Sequence, residues 1–261
     1  GKVGIVRPTF EEYPNRLNIE QVVDYRAKMP EFSYSADDLM TYFEDKKISS
    51  LVLVNPDNPT GNYIPYKDCL RLAQWCEERD IMFILDESFI DFSCEHPTFI
   101  CNDVLEQFGC LVVIKSISKS YGVPGLRLGI LASSNAELMT NIRRSVSIWN
   151  INSFAEFFLQ ILGKYERCYQ QAMEDFRAER NRFQKELSAI NFLRVIPSEA
   201  NYFLCEVLNP YTPRELAVQL LKQHNILIKD CSSKCDGAYI RIAVRGTHDN
   251  NKLVEALRLN L

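Results

Sequence analysis

A lysine, Lys119, lies just past the apolar run Cys110–Ile114 and stands among Ser116, Ser118 and Ser120, with Arg127 eight positions later inside the turn Gly125-Leu126-Arg127-Leu128-Gly129. A lysine amine, whose ordinary pKa is about 10.4, becomes a nucleophile towards carbonyls when it is desolvated or set beside other positive charge. Ser116, Ser118 and the fork-shaped guanidinium of Arg127 are donors suited to a phosphate. An amine that can condense with an aldehyde, beside a phosphate cradle, is what pyridoxal 5'-phosphate asks of a protein.

Two upstream segments carry the same chemistry. Asn55-Pro56-Asp57-Asn58-Pro59-Thr60-Gly61 follows Leu51-Val52-Leu53-Val54, and Ile81-Met82-Phe83-Ile84-Leu85 runs into Asp86-Glu87-Ser88-Phe89. Both place polar residues at the carboxyl end of an apolar strand, where open α/β sheets bind ligands. A carboxylate at Asp86 can keep a pyridine nitrogen protonated through a charged hydrogen bond, which makes the ring a better electron sink. Glu87 points to the opposite side of the strand and is given no role. Asn58 sits in a turn where asparagine is also common for conformational reasons, with Pro56 and Pro59 fixing the backbone that aims it.

These segments, in this order with Ser-x-Ser-Lys and Gly-Leu-Arg-Leu-Gly, resemble the class I/II aminotransferases of the aspartate aminotransferase fold. The nearest look is to the branch holding histidinol-phosphate aminotransferase and threonine-phosphate decarboxylase, and the resemblance covers nearly the whole chain. It implies an α/β, fold-type-I transferase that uses pyridoxal phosphate: a large domain on a mostly parallel sheet, plus a small α+β C-terminal domain. It implies that Lys119 carries the cofactor and shuttles a proton, that Asp86 meets the ring nitrogen, and that Asn58 donates to the 3′ oxygen. Phe89 departs from the tyrosine usual in aminotransferases of this branch, losing one hydrogen bond worth about 1 kcal/mol net. The decarboxylase branch tolerates phenylalanine there.

The same resemblance makes Arg241, in Tyr239-Ile240-Arg241-Ile242-Ala243-Val244, the clamp on the substrate α-carboxylate. Lys229 stands roughly where members with phosphorylated substrates carry an arginine; it keeps the charge and loses the fork, and a solubilising edge-strand lysine is an equal reading. Arg245 is shared in look with the decarboxylase branch. The implied reaction is transfer of an amino group between an amino acid or amine and a 2-oxo acid. The alternative is decarboxylation of a phosphorylated hydroxy-amino acid, and a third reading is an inactive piece of a larger enzyme. Family members are homodimers. They also carry a strand, a helix, a glycine-rich phosphate loop and a substrate-covering arm before the segment matching Arg7-Pro8-Thr9-Phe10-Glu11-Glu12-Tyr13. The chain is therefore expected to be an N-terminally truncated, by itself inactive, piece of a longer and possibly fused protein.

Bulk properties narrow the partners. A net charge of −4 without long basic runs argues against nucleic acid and anionic membranes. No apolar run approaches the roughly 18 residues of a membrane span, and Gly1–Val6 lacks the apolar core of a secretory signal. The nine cysteines are odd in number and scattered, and Cys231-Ser232-Ser233-Lys234-Cys235 has no second pair. Reduced thiols in a cytoplasmic protein, with no metal site, are the expectation. His96, His224 and His248 read as surface histidines.

Strand-like runs at 3–6, 21–25, 51–55, 82–86, 111–114 and 128–132 alternate with helical patterns at 35–45, 65–79 and 136–144, the signature of a parallel sheet covered on both faces. One long helix is expected from Ser153 to Ile190, carrying Met173, Phe176, Phe183, Leu187 and Ile190 on a single stripe. Strands at 193–196, 200–207, 226–229 and 239–244, with helices at 213–224 and 248–260, form the second unit. The expected division is 1–185 for the large domain with its connecting helix, and 186–261 for the small domain.

Overall fold

Six strands share one twisted sheet in the computed structural model, which describes residues 1–95 and 97–259; His96 and the end of the last expected helix at Asn260 lie outside the described residues. The strands are β1 (Lys2–Arg7), β2 (Val22–Arg26), β3 (Ile48–Val54), β4 (Met82–Asp86), β5 (Leu111–Ser116) and β6 (Gly129–Ala132), in the spatial order β2-β1-β3-β4-β5-β6. The first five run parallel and β6 closes the edge antiparallel to β5. Leu51–Val54 on β3 and Phe83, Leu85 on β4 are buried because helices cover the sheet, which is why these strands read as unbroken apolar runs.

The helices of this part of the chain are α1 (Glu12–Asn15), α2 (Ala36–Phe43), α3 (Tyr66–Glu77), α4 (Asn102–Gln107) and α5 (Ala136–Ser145). Ser35 and Asp38 form a reciprocal capping box at the start of α2. Ala36, Leu39 and Phe43 then fall on one face and are buried against the sheet. Cys69, Leu72, Ala73 and Cys76 do the same for α3.

Between Ser153 and Ile190 the structure differs from the single helix that the pattern predicts. Helix α6 (Ser153–Leu162) gives way to a 3-10 turn over Gly163–Tyr165, and α7 (Glu166–Ser188) follows. Glycine inside a helix costs about 1 kcal/mol against alanine, and Gly163 is where the two segments part. A second, antiparallel sheet follows: β7 (Leu193–Val195), β8 (Tyr202–Val207), β9 (Lys229–Asp230) and β10 (Tyr239–Ala243), ordered β7-β8-β10-β9. It carries α8 (Pro213–His224), α9 (Ser232–Cys235) and α10 (Thr247–Arg258). The strand expected at 226–229 shrinks to Lys229–Asp230. Asn225 takes a left-handed φ of 56° and Ile226 N–H returns to Leu220 O, so this stretch is still closing α8.

Phe183 and Leu187 of α7 pack with Phe203, Ile240 and Leu253 in the core of the second sheet. The two sheets meet where Tyr239 packs edge-on to Phe32 at 5.1 Å and Tyr202 Oη donates to Asp57 O at 2.9 Å. Among the described residues no helix is long and apolar enough to cross a membrane.

Candidate active site

Register alone brings three polar strand ends together. Val54, Asp86 and Ile114 are lateral partners on β3, β4 and β5, so the Asn55 turn, Asp86 and the Lys119 loop leave the sheet side by side at its carboxyl edge. Ser116 pairs with Gly129, which folds the Arg127 turn back beside them. The result is a cavity of about 430 Å³ whose walls include Phe10, Tyr13, Asn58, Asp86, Lys119 and Arg127, at the place where a parallel sheet presents ligands.

The Lys119 loop is held at several points. Ser116 N–H donates to Ser88 Oγ at 3.0 Å, and Ser118 Oγ donates to Leu128 O at 3.2 Å. Ser118 is thereby buried behind the loop, whereas Ser116 faces the cavity. The Lys119 side chain is exposed, and its Nζ stands 5.9 Å from the ring centroid of Phe89. Phe89 is itself buried, edge-on to Tyr202 at 5.3 Å. Arg127 caps its 3-10 turn in the left-handed region at φ 57°, with one guanidinium N–H on Pro124 O at 3.2 Å.

Asp86 is 5% exposed and oriented through both oxygens. Oδ1 accepts from Ser88 N–H at 2.8 Å and Oδ2 from Tyr13 Oη at 2.7 Å. Burial, and then the Asp86 carboxylate, push the Tyr13 phenol far above its ordinary pKa, so it stays a donor. Asn58 Oδ1 accepts from Arg241 at 2.6 Å. A guanidinium can only donate, so the amide oxygen faces it and the NH₂ end remains a donor for a ligand oxygen.

The turn that aims Asn58 is built from buried groups. Asp57 accepts from Thr9 Oγ1 at 2.9 Å and Thr60 Oγ1 at 2.8 Å; burial pushes its carboxyl up to about 7. Gly61 closes the turn at φ 76°, and a Cβ there would strike the Ser198 side chain.

Arg241 lies over the Tyr202 ring, 5.0 Å from its centroid, and is the register partner of the exposed Lys229 on β9. Arg245 is not brought to this cavity. It falls beyond β10, exposed, in an ion pair with Asp249 at 2.7 Å, beside a separate hollow of about 350 Å³ on the second sheet.

Four neighbours were not picked out from the sequence: Phe10, Tyr13, Lys115 and Lys234. Lys115 also lines the cavity. Lys234 is half-buried, with Nζ at 3.4 Å from Asn58 O and 4.0 Å from Glu11, and burial lowers its pKa. The aromatic pair in Arg7–Tyr13 was the available signal for the first two. Lys234 has none, because α9 is a single turn.

This set can hold a pyridine aldehyde bearing a phosphate. Lys119 offers an amine, Asp86 an oriented carboxylate, Asn58 amide donors, Ser116 and Arg127 phosphate donors, and Phe10 an aromatic face. Among the described residues no group of three or more His, Cys, Asp or Glu is placed to hold a metal ion.

Residues 2–258 match the family model for aminotransferase class I and II. Over 253 residues the chain is 33% identical to the CMP-5'-(3-aminopropyl)phosphonate synthase of Streptomyces rubellomurinus, covering 96% of this chain and 40% of that protein. It is 32% identical over 260 residues to the threonine-phosphate decarboxylase of Salmonella typhimurium, covering 97% of this chain and 69% of that one. A solved decarboxylase from Sulfurospirillum multivorans superposes with a TM-score of 0.89 at 28% identity, over 99% of this chain and 75% of that chain. The chain thus spans two-fifths of the phosphonate synthase and about two thirds to three quarters of the other two.

Proposed function

The chain belongs to the class I and II aminotransferases, and from that premise we propose that it is the pyridoxal-phosphate-binding part of a decarboxylase acting on an amino acid whose side chain bears a phosphate or phosphonate. The observation that carries this reading is the cross-strand pairing of Arg241 with Lys229. Like charges placed directly opposite on a sheet are unfavourable, and Lys234 adds a third cation bonded to Asn58 O. An α-carboxylate satisfies one guanidinium; three cations suit a substrate with a second, multiply charged anion. The names of the Streptomyces and Salmonella relatives, a phosphonate synthase and a phosphate-substrate decarboxylase, support the same class.

Pyridoxal phosphate, when bound, supplies the electron sink that lets a bond to the substrate α-carbon break heterolytically. The chain's own residues do the rest. Lys119 would offer the amine that carries the cofactor and the proton that replaces the lost carboxylate. Asp86, aligned by Ser88 and Tyr13, would keep the ring nitrogen protonated. Asn58 would donate to the 3′ oxygen, Ser116 and Arg127 would hold the phosphate, and Phe89 would offer no second hydroxyl donor there. Lys229 and Lys234 would hold the side-chain anion of the substrate.

Amino transfer is the second reading, favoured by the Arg241–Asn58 contact: a guanidinium resting on a neutral amide would be available to hold the α-carboxylate, leaving the α-proton as the group to be removed. Either way we take the enzyme to be a cytoplasmic homodimer. The exposed Ile148, Trp149, Phe154 and Phe157 supply an apolar face for the second copy.

The test is to incubate the full-length protein and pyridoxal phosphate with O-phosphothreonine or O-phosphoserine, and separately with glutamate plus a 2-oxo acid. Carbon dioxide release from the phosphorylated substrate is expected. Amino transfer without carbon dioxide would reverse the order of the two readings.

A further inference from the structure

Two lysines, not one, line the cavity: Lys119 and, four residues earlier at the end of β5, Lys115. The sequence motif singles out Lys119, yet a second amine shares the same cavity. The difference lies in their partners. Lys115 Nζ is 2.6 Å from Asp91 Oδ1, with the side chains only 13% and 16% exposed. Asp91 sits in the 3-10 turn Ile90–Phe92, and its second oxygen accepts from Ser120 Oγ at 2.7 Å. Its main-chain carbonyl accepts from Arg177 of α7 at 3.2 Å. Asp91 therefore grips the chain on both sides of Lys119, at the fourth residue before it and at the first after it.

We propose that Asp91 is a positioning residue for the amine chemistry of this site: it pins the Lys115 ammonium out of reach, so that Lys119 alone reacts with a carbonyl ligand. An ammonium locked to a carboxylate presents no lone pair, and the short charge-assisted hydrogen bond holds its Nζ on Asp91 Oδ1. Glu87, buried behind the same wall, adds negative charge towards Lys115, whereas Arg177 faces Asp91 from α7. The Ser120 bond fixes the Asp91 carboxylate in the orientation that suits Lys115. This inference rests on the cofactor reading above only for the identity of the carbonyl ligand; the difference between the two amines is a property of the chain.

The experiment compares the full-length parent protein with its Asp91→Asn and Ser120→Ala variants, each freed of cofactor. Brief acetylation with acetic anhydride, read by peptide mass spectrometry, gives the reactivity of each lysine. Freeing an amine from one short charge-assisted hydrogen bond corresponds to about a tenfold change in its availability, so Lys115 acetylation should rise about tenfold in Asp91→Asn. A smaller rise is expected in Ser120→Ala, which keeps the carboxylate but frees its orientation. Cys205, fully buried, must stay unreactive to a thiol reagent in the same samples; Ser120→Ala carries the comparison if Asp91→Asn does not fold. In a second arm, pyridoxal phosphate and borohydride should label only Lys119 in the parent, and both Lys119 and Lys115 in Asp91→Asn. Unchanged Lys115 reactivity in folded variants overturns the proposal. Label absent from Lys119 in the parent, with the acetylation difference intact, overturns the cofactor reading and leaves the proposal standing.

Discussion

Arg241 donates to Asn58 Oδ1 at 2.6 Å across 183 positions of sequence, joining the second sheet to the turn after β3. The cation expected to meet a substrate carboxylate thus rests on a residue of the candidate cavity. Arg241→Lys keeps the charge but loses the fork and the planar stacking on Tyr202. One charge-assisted hydrogen bond is worth about 1.5–3 kcal/mol, so kcat/KM of the full-length enzyme should fall about tenfold to a hundredfold. Borohydride labelling of Lys119 should persist. Steady-state rates that match the parent would place the carboxylate clamp elsewhere.

Asp57 gives stability a slope with pH. Its carboxyl titrates near 7 in the folded chain because it is buried, against about 3.9 when unfolded. A raised carboxyl pKa stabilises the fold below the unfolded value, and that contribution disappears as pH climbs from about 4 to about 7. Asp57→Asn should remove this slope. Urea midpoints at pH 5 and pH 8 should differ for the parent, with the variant's difference smaller by on the order of 2–4 kcal/mol. Parallel behaviour of the two proteins would show that Asp57 is ionised throughout.

How far the site can be read from sequence depends on where each residue sits. β3, β4 and β5 are buried on both faces, so their apolar runs stand out, and the first polar residue after each marks the ligand edge. Asn58, Asp86, Lys119 and Arg127 all come to one cavity for that reason. Phe10 and Tyr13 are carried before and on a four-residue helix, too short for any periodicity, so only the fold reveals that both line the cavity and that Tyr13 meets Asp86. Lys115 is hidden by alternation: on an edge-facing strand end a lysine looks solvent-bound until Asp91 is found beside it. Arg245 lies apart from that cavity. β10 ends at Ala243, and the i,i+4 pairing with Asp249 draws Arg245 onto α10.

Arg180 on α7 should be among the costliest residues to replace. It is 1% exposed, yet it donates to Phe92 O at 2.9 Å, Ala200 O at 3.2 Å and Glu199 at 2.8 Å. Arg180→Met fills much of the volume but leaves two carbonyls without this donor and Glu199 with only the Cys94 N–H, at 2.7 Å. Breaking one side of such a buried set costs about 3–5 kcal/mol, which denaturant unfolding would register directly. A loss below about 1 kcal/mol, the scale of an exposed ion pair, would mean that water replaces the guanidinium.

Glu179 carries a pH dependence of opposite sign. Its carboxylate accepts from Arg182 at 2.7 and 2.9 Å, from Asn250 at 2.7 Å and from Thr247 at 2.9 Å. Thr247 opens α10, so the charge also sits at a helix N-terminus, where anions are favoured. These bonds, the Arg182 bond foremost, hold the carboxyl down near 2, against about 4.3 when unfolded. A depressed carboxyl pKa stabilises the fold above the unfolded value, and the contribution is lost as pH falls from about 4 towards 2. Glu179→Gln keeps one acceptor but neither the charge nor the paired geometry for Arg182. It should unfold at lower urea than the parent at pH 7, with the two midpoints converging as the pH is lowered to 2.5. A gap that stays constant across that range would assign the loss to shape rather than to charge.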